Sequence, residues 1–151
     1  MLLAKECIMA EEYIQTLSNE EKIVFLKLFC VLIKADGQID TDEVEFLKQV
    51  SQRYGVDNGL VVEIIKNANS INHVNEAKKI TNRSHALELL KELCFLANVD
   101  DNLHDNELRI LIDISRAMNI EDEKLILINR FVLDVAILEK TGRIIMEKDN
   151  G

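Results

Sequence analysis

The sequence predicts an all-α fold: one compact domain across residues 1–151, a helical bundle with an internal duplication. Three observations carry this expectation. The first is composition. Hydrophobic residues make up 48% and aromatics 5%, with no proline and 5 glycines. That mixture suits long helices with an aliphatic core, whereas sandwiches and barrels need turn residues every few positions. The second is a gapless repeat at a shift of 64 positions. Leu26, Lys27, Cys30, Leu32, Asp36, Glu43, Leu47 and Ser51 fall on Leu90, Lys91, Cys94, Leu96, Asp100, Glu107, Leu111 and Ser115, 8 identities in the 32 positions 25–56. A helix–turn–helix unit used twice leaves an apolar face open on each copy, and packing the copies together closes both. The third is helical spacing of apolar residues through both units, about 19–66 and 83–130.

The elements follow in order. Residues 4–17 read as a first helix, with Cys7, Ile8, Tyr13 or Ile14, and Leu17 near helical spacing. Ser18-Asn19-Glu20-Glu21 is a capping box, in which the serine oxygen accepts a backbone N–H and Glu21 reaches back to the cap. The helix it opens runs to about residue 34. Ile23, Leu26, Cys30 and Ile33 make one apolar face, and Phe25, Phe29 and Leu32 a second, which places this helix at the centre. A helix over 41–54 buries Val44, Leu47, Val50 and Tyr54, and Gly55 suits a left-handed closing residue. Asp57 caps the next helix, which carries Leu60, Val61, Ile64, Ile65 and Ala68. Positions 67–83 form a polar connector with one short helix near 74–80. The second unit starts near Ser84, with Leu87, Leu90, Cys94 and Ala97 on its first helix and Leu108, Leu111, Ile114 and Met118 on its second. Asn119 stands where Gly55 stood, and asparagine tolerates the same backbone. A last helix over 122–143 carries Leu125, Ile128, Val132, Val135 and Leu138, followed by a frayed tail.

Charge narrows the function. The net charge of −9 repels phosphate backbones and anionic lipid, so no nucleic-acid partner is expected. Cations and basic protein surfaces are favoured instead. No signal-peptide pattern opens the chain, and the apolar stretch 125–138 is interrupted by Asn129, Arg130 and Asp134. The expectation is a cytoplasmic protein without membrane insertion. Cys7, Cys30 and Cys94 show no C-x-x-C spacing, so neither a disulfide framework nor a zinc knuckle is indicated. Cys30 and Cys94 read as small hydrophobes on equivalent apolar faces.

The candidate site lies in two acidic turns, Ala35-Asp36-Gly37-Gln38-Ile39-Asp40-Thr41-Asp42-Glu43 and Val99-Asp100-Asp101-Asn102-Leu103-His104-Asp105-Asn106-Glu107. The first matches the back half of an EF-hand loop. Positions 1 and 3 of that loop would be Leu32 and Lys34, however, and calcium needs oxygen there. In the second turn those positions are Leu96 and Asn98, and Asp101 replaces the turn glycine, so an EF-hand is excluded. Helix capping accounts for Asp40, Asp42 and Glu43 without a ligand, and His104-x-x-Glu107 is the same arrangement with a poorer cap. Capping does not account for Asp36 and Asp100. Each follows a helix C-terminus, where the dipole disfavours an anion.

A helix ending in Ala-Asp-Gly, then an apolar residue, an acid and a glutamate opening the next helix, present twice, resembles the tellurite-resistance TerB family. The resemblance covers residues 23–128. It extends to the N-terminal domain of a membrane-anchored J-domain co-chaperone, although no J-domain or anchor is read here. It implies a bundle of about seven helices that binds a divalent cation of unspecified identity. The implied ligands are Asp36, Asp40 and Glu43 in the first copy and Asp100 and Glu107 in the second. Asp101 and His104 depart from the pattern, and the imidazole of His104 suits zinc, iron or nickel better than calcium.

His73 and His85 have no assigned role. No P-loop, nucleotide-binding glycine fingerprint, di-iron motif or nucleophile–base pair is present, so catalysis has no motif behind it. Two functional classes lead: a cation-binding protein that also holds a protein partner, and a structural adaptor whose acids only cap helices. A metal-dependent hydrolase would additionally require turnover.

Overall fold

The computed structural model describes residues 11–35, 37–98 and 104–150. Among these residues it is all-α, with eight helices and no strand. They are α1 (Glu11–Thr16), α2 (Asn19–Lys34), α3 (Thr41–Tyr54), α4 (Asn58–Lys66), α5 (His73–Ala77), α6 (Arg83–Ala97), α7 (Asp105–Ala117) and α8 (Asp122–Asn150), with a 3-10 turn at Ala68–Ser70. The expected start of the first helix, with Cys7 and Ile8, lies outside the described residues.

Two helices organise the bundle. α2 packs against α3, α4, α5 and α6, and α6 packs against α2, α7 and α8. Leu26 and Cys30 on one helix and Leu90 and Cys94 on the other are all buried. On α2 the more deeply buried residues include Phe25, Phe29 and Leu32, together with Val24 and Leu28, while Ile23 and Ile33 are only partly covered. The reason is crowding. A helix with four neighbours buries most of its circumference, and the faces read from spacing merge into one. α6 behaves alike, with Leu89 and Leu93 fully buried and Leu87 only partly.

Local signals set the helix boundaries. The Ser18–Glu21 capping box is formed, with Glu21 N–H donating to Ser18 Oγ at 3.1 Å and Ser18 N–H donating to Glu21 Oε1 at 2.9 Å. Gly55 closes α3 at φ +71, and Asn119 takes φ +60 after α7. Both ends carry the same bonds. Val56 N–H reaches Ser51 O and Ile120 N–H reaches Ser115 O, each at 2.9 Å, as a Schellman closure requires. Ser51 and Ser115 are themselves buried, and their hydroxyls donate to the carbonyls of Lys48 and Ile112. Asp57 does precede α4, but its side chain makes no capping bond.

The second unit differs from expectation in two places. Leu108 is 40% exposed, because α7 turns only Leu111, Ile114 and their neighbours inward. α8 continues to Asn150 rather than ending near 143. It has no proline or closing glycine before position 151, and Gly142 is tolerated inside it. Only its first half joins the core, through Leu125, Ile128, Val132, Val135 and Ala136. No helix among the described residues is long and apolar enough to cross a membrane.

The two left-handed closures generate a test. Gly55→Ala should destabilise the protein by about 1–2 kcal/mol, the cost of a Cβ in that backbone. Asn119→Gly should be neutral or stabilising by a few tenths of a kcal/mol, since glycine is the better residue there. Urea unfolding of the two variants against the wild type measures both signs.

Candidate functional site: the acidic turns

In the first turn the chain leaves α2 through Gly37, whose N–H donates to Lys34 O at 2.9 Å and whose φ is +135. That backbone favours glycine. At a shift of 64 positions the residue in place of Gly37 is Asp101. Ile39 packs against the core and anchors the turn. Asp40 is then the N-cap of α3. Glu43 N–H donates to Asp40 Oδ1 at 2.8 Å, and Asp40 N–H donates to Glu43 Oε1 at 3.0 Å. Both carboxylates therefore have a structural task at the positive end of a helix. The Lys34 ammonium donates to Asn69 Oδ1.

The second turn begins differently. Asn98, where the first unit has Lys34, is buried. Its side-chain amide donates to Cys94 O at 2.7 Å and to Asn129 Oδ1 at 2.9 Å, tying the end of α6 to α8. His104 occupies the N-cap of α7. Its N–H meets Glu107 Oε1 at 3.4 Å, a longer return bond than in the first unit. Glu107 is 7% exposed. Of the five residues singled out as ligands, Asp40, Glu43 and Glu107 are placed in capping arrangements, while Asp36 and Asp100 lie outside the described residues, as does Asp101. Among the described residues, no group of three or more histidine, cysteine or acidic side chains is arranged to hold a metal ion.

Several residues that spacing did not reveal prove to be the cross-links of the bundle. His85, at the start of α6, donates through Nδ1 to Glu21 Oε2 at 2.7 Å. Beside it, the Tyr13 hydroxyl meets Ser84 Oγ at 2.6 Å, so α1, α2 and α6 join at one polar corner. His73 Nε2 meets Asp113 Oδ2 at 3.0 Å, linking α5 to α7. Glu76 on α5 receives Lys27 from α2 and Lys79 from its own end, each at 3.1 Å. Such pairs depend on tertiary placement, and no local motif marks them.

These contacts set the acid response. Burial pushes the Glu21 carboxyl up, but the Ser18 N–H and His85 outweigh it and hold it below the usual value of 4.5. Burial likewise pushes Glu76 up, but Lys27 and Lys79 outweigh it and hold the carboxyl below its usual value. The cysteines show the opposite case. Burial pushes the Cys30 thiol up to about 11 and the Cys94 thiol up to about 12, which makes both poor nucleophiles.

A family model described as Tellurite resistance protein TerB matches residues 22–130. The chain belongs to the TerB family. The match runs from the start of α2 into α8 and takes in both acidic turns, and the exposed second half of α8 lies beyond it. Curated proteins and solved structures, compared in the same way, gave no match.

Two expectations follow for this TerB-family chain. Asp40→Ala removes an N-cap and should cost about 1 kcal/mol, by the same amount in chelator and in divalent cations. Thermal melts in each buffer show whether the loss is independent of metal. The lowered carboxylates contribute stability that is fully present above the unfolded value of about 4.5 and is lost as pH falls through their folded values. Glu21→Gln and Glu76→Gln should each destabilise the protein by about 1–2 kcal/mol at pH 7. Both should also flatten the fall in stability below pH 4.5 in urea titrations.

Proposed function

We propose that this TerB-family protein is a non-catalytic binding protein whose task is to hold a protein partner in a tellurite- or stress-linked setting. Its acidic turns set the geometry of the helix pairs, and a surface on α8 does the binding. The observation that supports this reading is apolar exposure. Leu127, Phe131 and Leu138 lie uncovered along one flank of α8. Beside them, Tyr13 and Leu87 help to line an open groove of about 400 Å³ that also reaches Leu127 and Phe131. Contiguous apolar surface of this kind, rimmed by Lys91, Lys124 and Glu88, is the usual mark of a protein-interaction site. The net charge of −9 favours a partner with a basic surface.

The matching experiment is co-purification with wild-type chain as bait beside Phe131→Ser/Leu138→Ser. The partner should stay with the wild type and be lost from the double variant, while the variant's melting temperature is unchanged. Equal retention by both proteins would remove α8 from this role.

A second reading keeps a divalent cation on the acidic turns. It is favoured by one detail: the capping bond of Asp40 engages Oδ1, and the sequence puts Asp36 four residues earlier on the same turn. The unit duplication then offers Asp100 and Glu107 as a related set. Calorimetric titration of metal-free protein with calcium, magnesium, zinc and manganese separates the readings. Heat that vanishes in Asp36→Asn and Asp100→Asn supports a cation site, and no heat with any of the four leaves the acids as helix caps.

A further inference from the structure

The polar corner where α1 meets α2 and α6 fixes the protonation state of one of its members. Each hydroxyl there has a single proton to give. Thr16 Oγ1 donates its proton to Tyr13 O at 2.6 Å, so toward His85 Nε2, 3.2 Å away, it offers only lone pairs. On the other side of the ring, His85 Nδ1 lies 2.7 Å from Glu21 Oε2, and an ionised carboxylate only accepts. The Tyr13 hydroxyl is already engaged, donating to Ser84 O at 2.5 Å and accepting from Ser84 Oγ at 2.6 Å. Both ring nitrogens of His85 must therefore donate, and a ring with two N–H groups is an imidazolium.

A neutral ring keeps one proton. With that proton on Nδ1, the Glu21 bond survives without its positive charge, and Nε2 turns a lone pair on Thr16 Oγ1. Thr16 can restore that contact only by taking its proton away from Tyr13 O. Either way, one bond that orders or holds α1 is lost. α1 has little else to hold it. Six residues are too few for a helix to stand alone, and its apolar anchors are Ile14 and, just past its end, Leu17. We infer that α1 is a latch worked by one proton: it is docked while His85 is an imidazolium, and its hold slackens when His85 becomes neutral.

The charged neighbours leave His85 to Glu21. Glu88, one turn along α6, is bound by Lys91 at 2.7 Å, and Arg83 is bound to Glu121 at 2.7 Å. On the α7 side Arg116 is held by Asp122 at 3.0 Å, and Lys124 of α8 lines the groove beyond Ser84. Glu20 and Lys22 flank Glu21 on α2, and Glu11 and Glu12 open α1. The His85 and Glu21 side chains are 12% and 16% exposed, so water replaces a lost bond poorly. A charge that the docked state requires stabilises docking at low pH, and that contribution goes as pH rises through the His85 titration. Glu21 sets the acid limit. Its carboxyl is held below 4.5, and the pair is lost as pH falls through its folded value. Tyr13 also walls the groove that contains Leu87, Leu127 and Phe131, so slackening of α1 opens that wall. This bearing on a partner rests on the partner-binding reading above, whereas the latch is measured with no partner present.

Hydrogen exchange of the full chain tests it, followed by mass over residues 11–17 and corrected for the intrinsic rate at each pH. Between about pH 5.5 and about pH 8.5, protection of α1 should fall on the order of tenfold, the weight of one bond to a charged group, while the centres of α2 and α6 keep theirs. Nitrogen chemical shifts of His85 should show two N–H groups at the lower pH and one at the higher. In His85→Gln, α1 should be equally protected at both pH values. Thr16→Val, which keeps the His85–Glu21 pair and the core, should lose most of the response. Protection of α1 that stays constant while His85 loses its proton overturns the inference. So does an equal fall in His85→Gln, or an undiminished one in Thr16→Val.

Discussion

The contact between α2 and α6 is the constraint on which the rest of the structure depends. Each is buried on most sides, and each packs against the other and against at least two further helices. Everything else is arranged as a shell. α3 and α4 cover α2, α7 and α8 cover α6, and α5 bridges the units by packing on both α2 and α7. The buried hydrophobic residues form one continuous cluster, so the protein is expected to unfold as one cooperative body.

Capping gives this arrangement its precision. The Asp40–Glu43 box fixes where α3 starts relative to α2, and His104 with Glu107 does so for α7 relative to α6. The left-handed residues Gly55 and Asn119 end α3 and α7 in the same way, and buried serines at equivalent positions accept the closing bonds. Helices trimmed at both ends present a set length of apolar face to the centre. The acids of the turns thus contribute to the fold whatever else they bind.

Much of this was legible in the residues. The Ser18 and Asp40 boxes, the limits of α2 and α3, and the left-handed roles of Gly55 and Asn119 all follow from local chemistry that acts within a few positions. Features that need the whole molecule did not show. Phe46, Leu89 and Leu93 are buried because neighbours close on several sides at once, which a single amphipathic stripe does not anticipate. The His85–Glu21 and His73–Asp113 pairs join helices far apart in sequence. Glu92 sits buried against the α3 side, where burial first, and then the nearby Glu92 and Glu88 charges, push the Tyr54 phenol far above its ordinary value. The division of α8 between core-facing and exposed apolar residues was hidden for the opposite reason. That helix is apolar on nearly every side, so spacing alone does not separate the residues facing the core from those facing water.

The two tyrosines give the molecule a built-in pair of optical reporters. There is no tryptophan to mask them, and they occupy different layers. Tyr54 is packed edge-on against Phe25 in the interior, where its phenol stays protonated. Tyr13 sits at the rim, its hydroxyl held by Ser84 across from α1 to α6 and its ring edge-on to His85. Release of α1 from the body exposes the second ring to solvent and leaves the first untouched. Peeling of the N-terminal helix and melting of the centre therefore have separable spectral signatures in the native chain, without any added label.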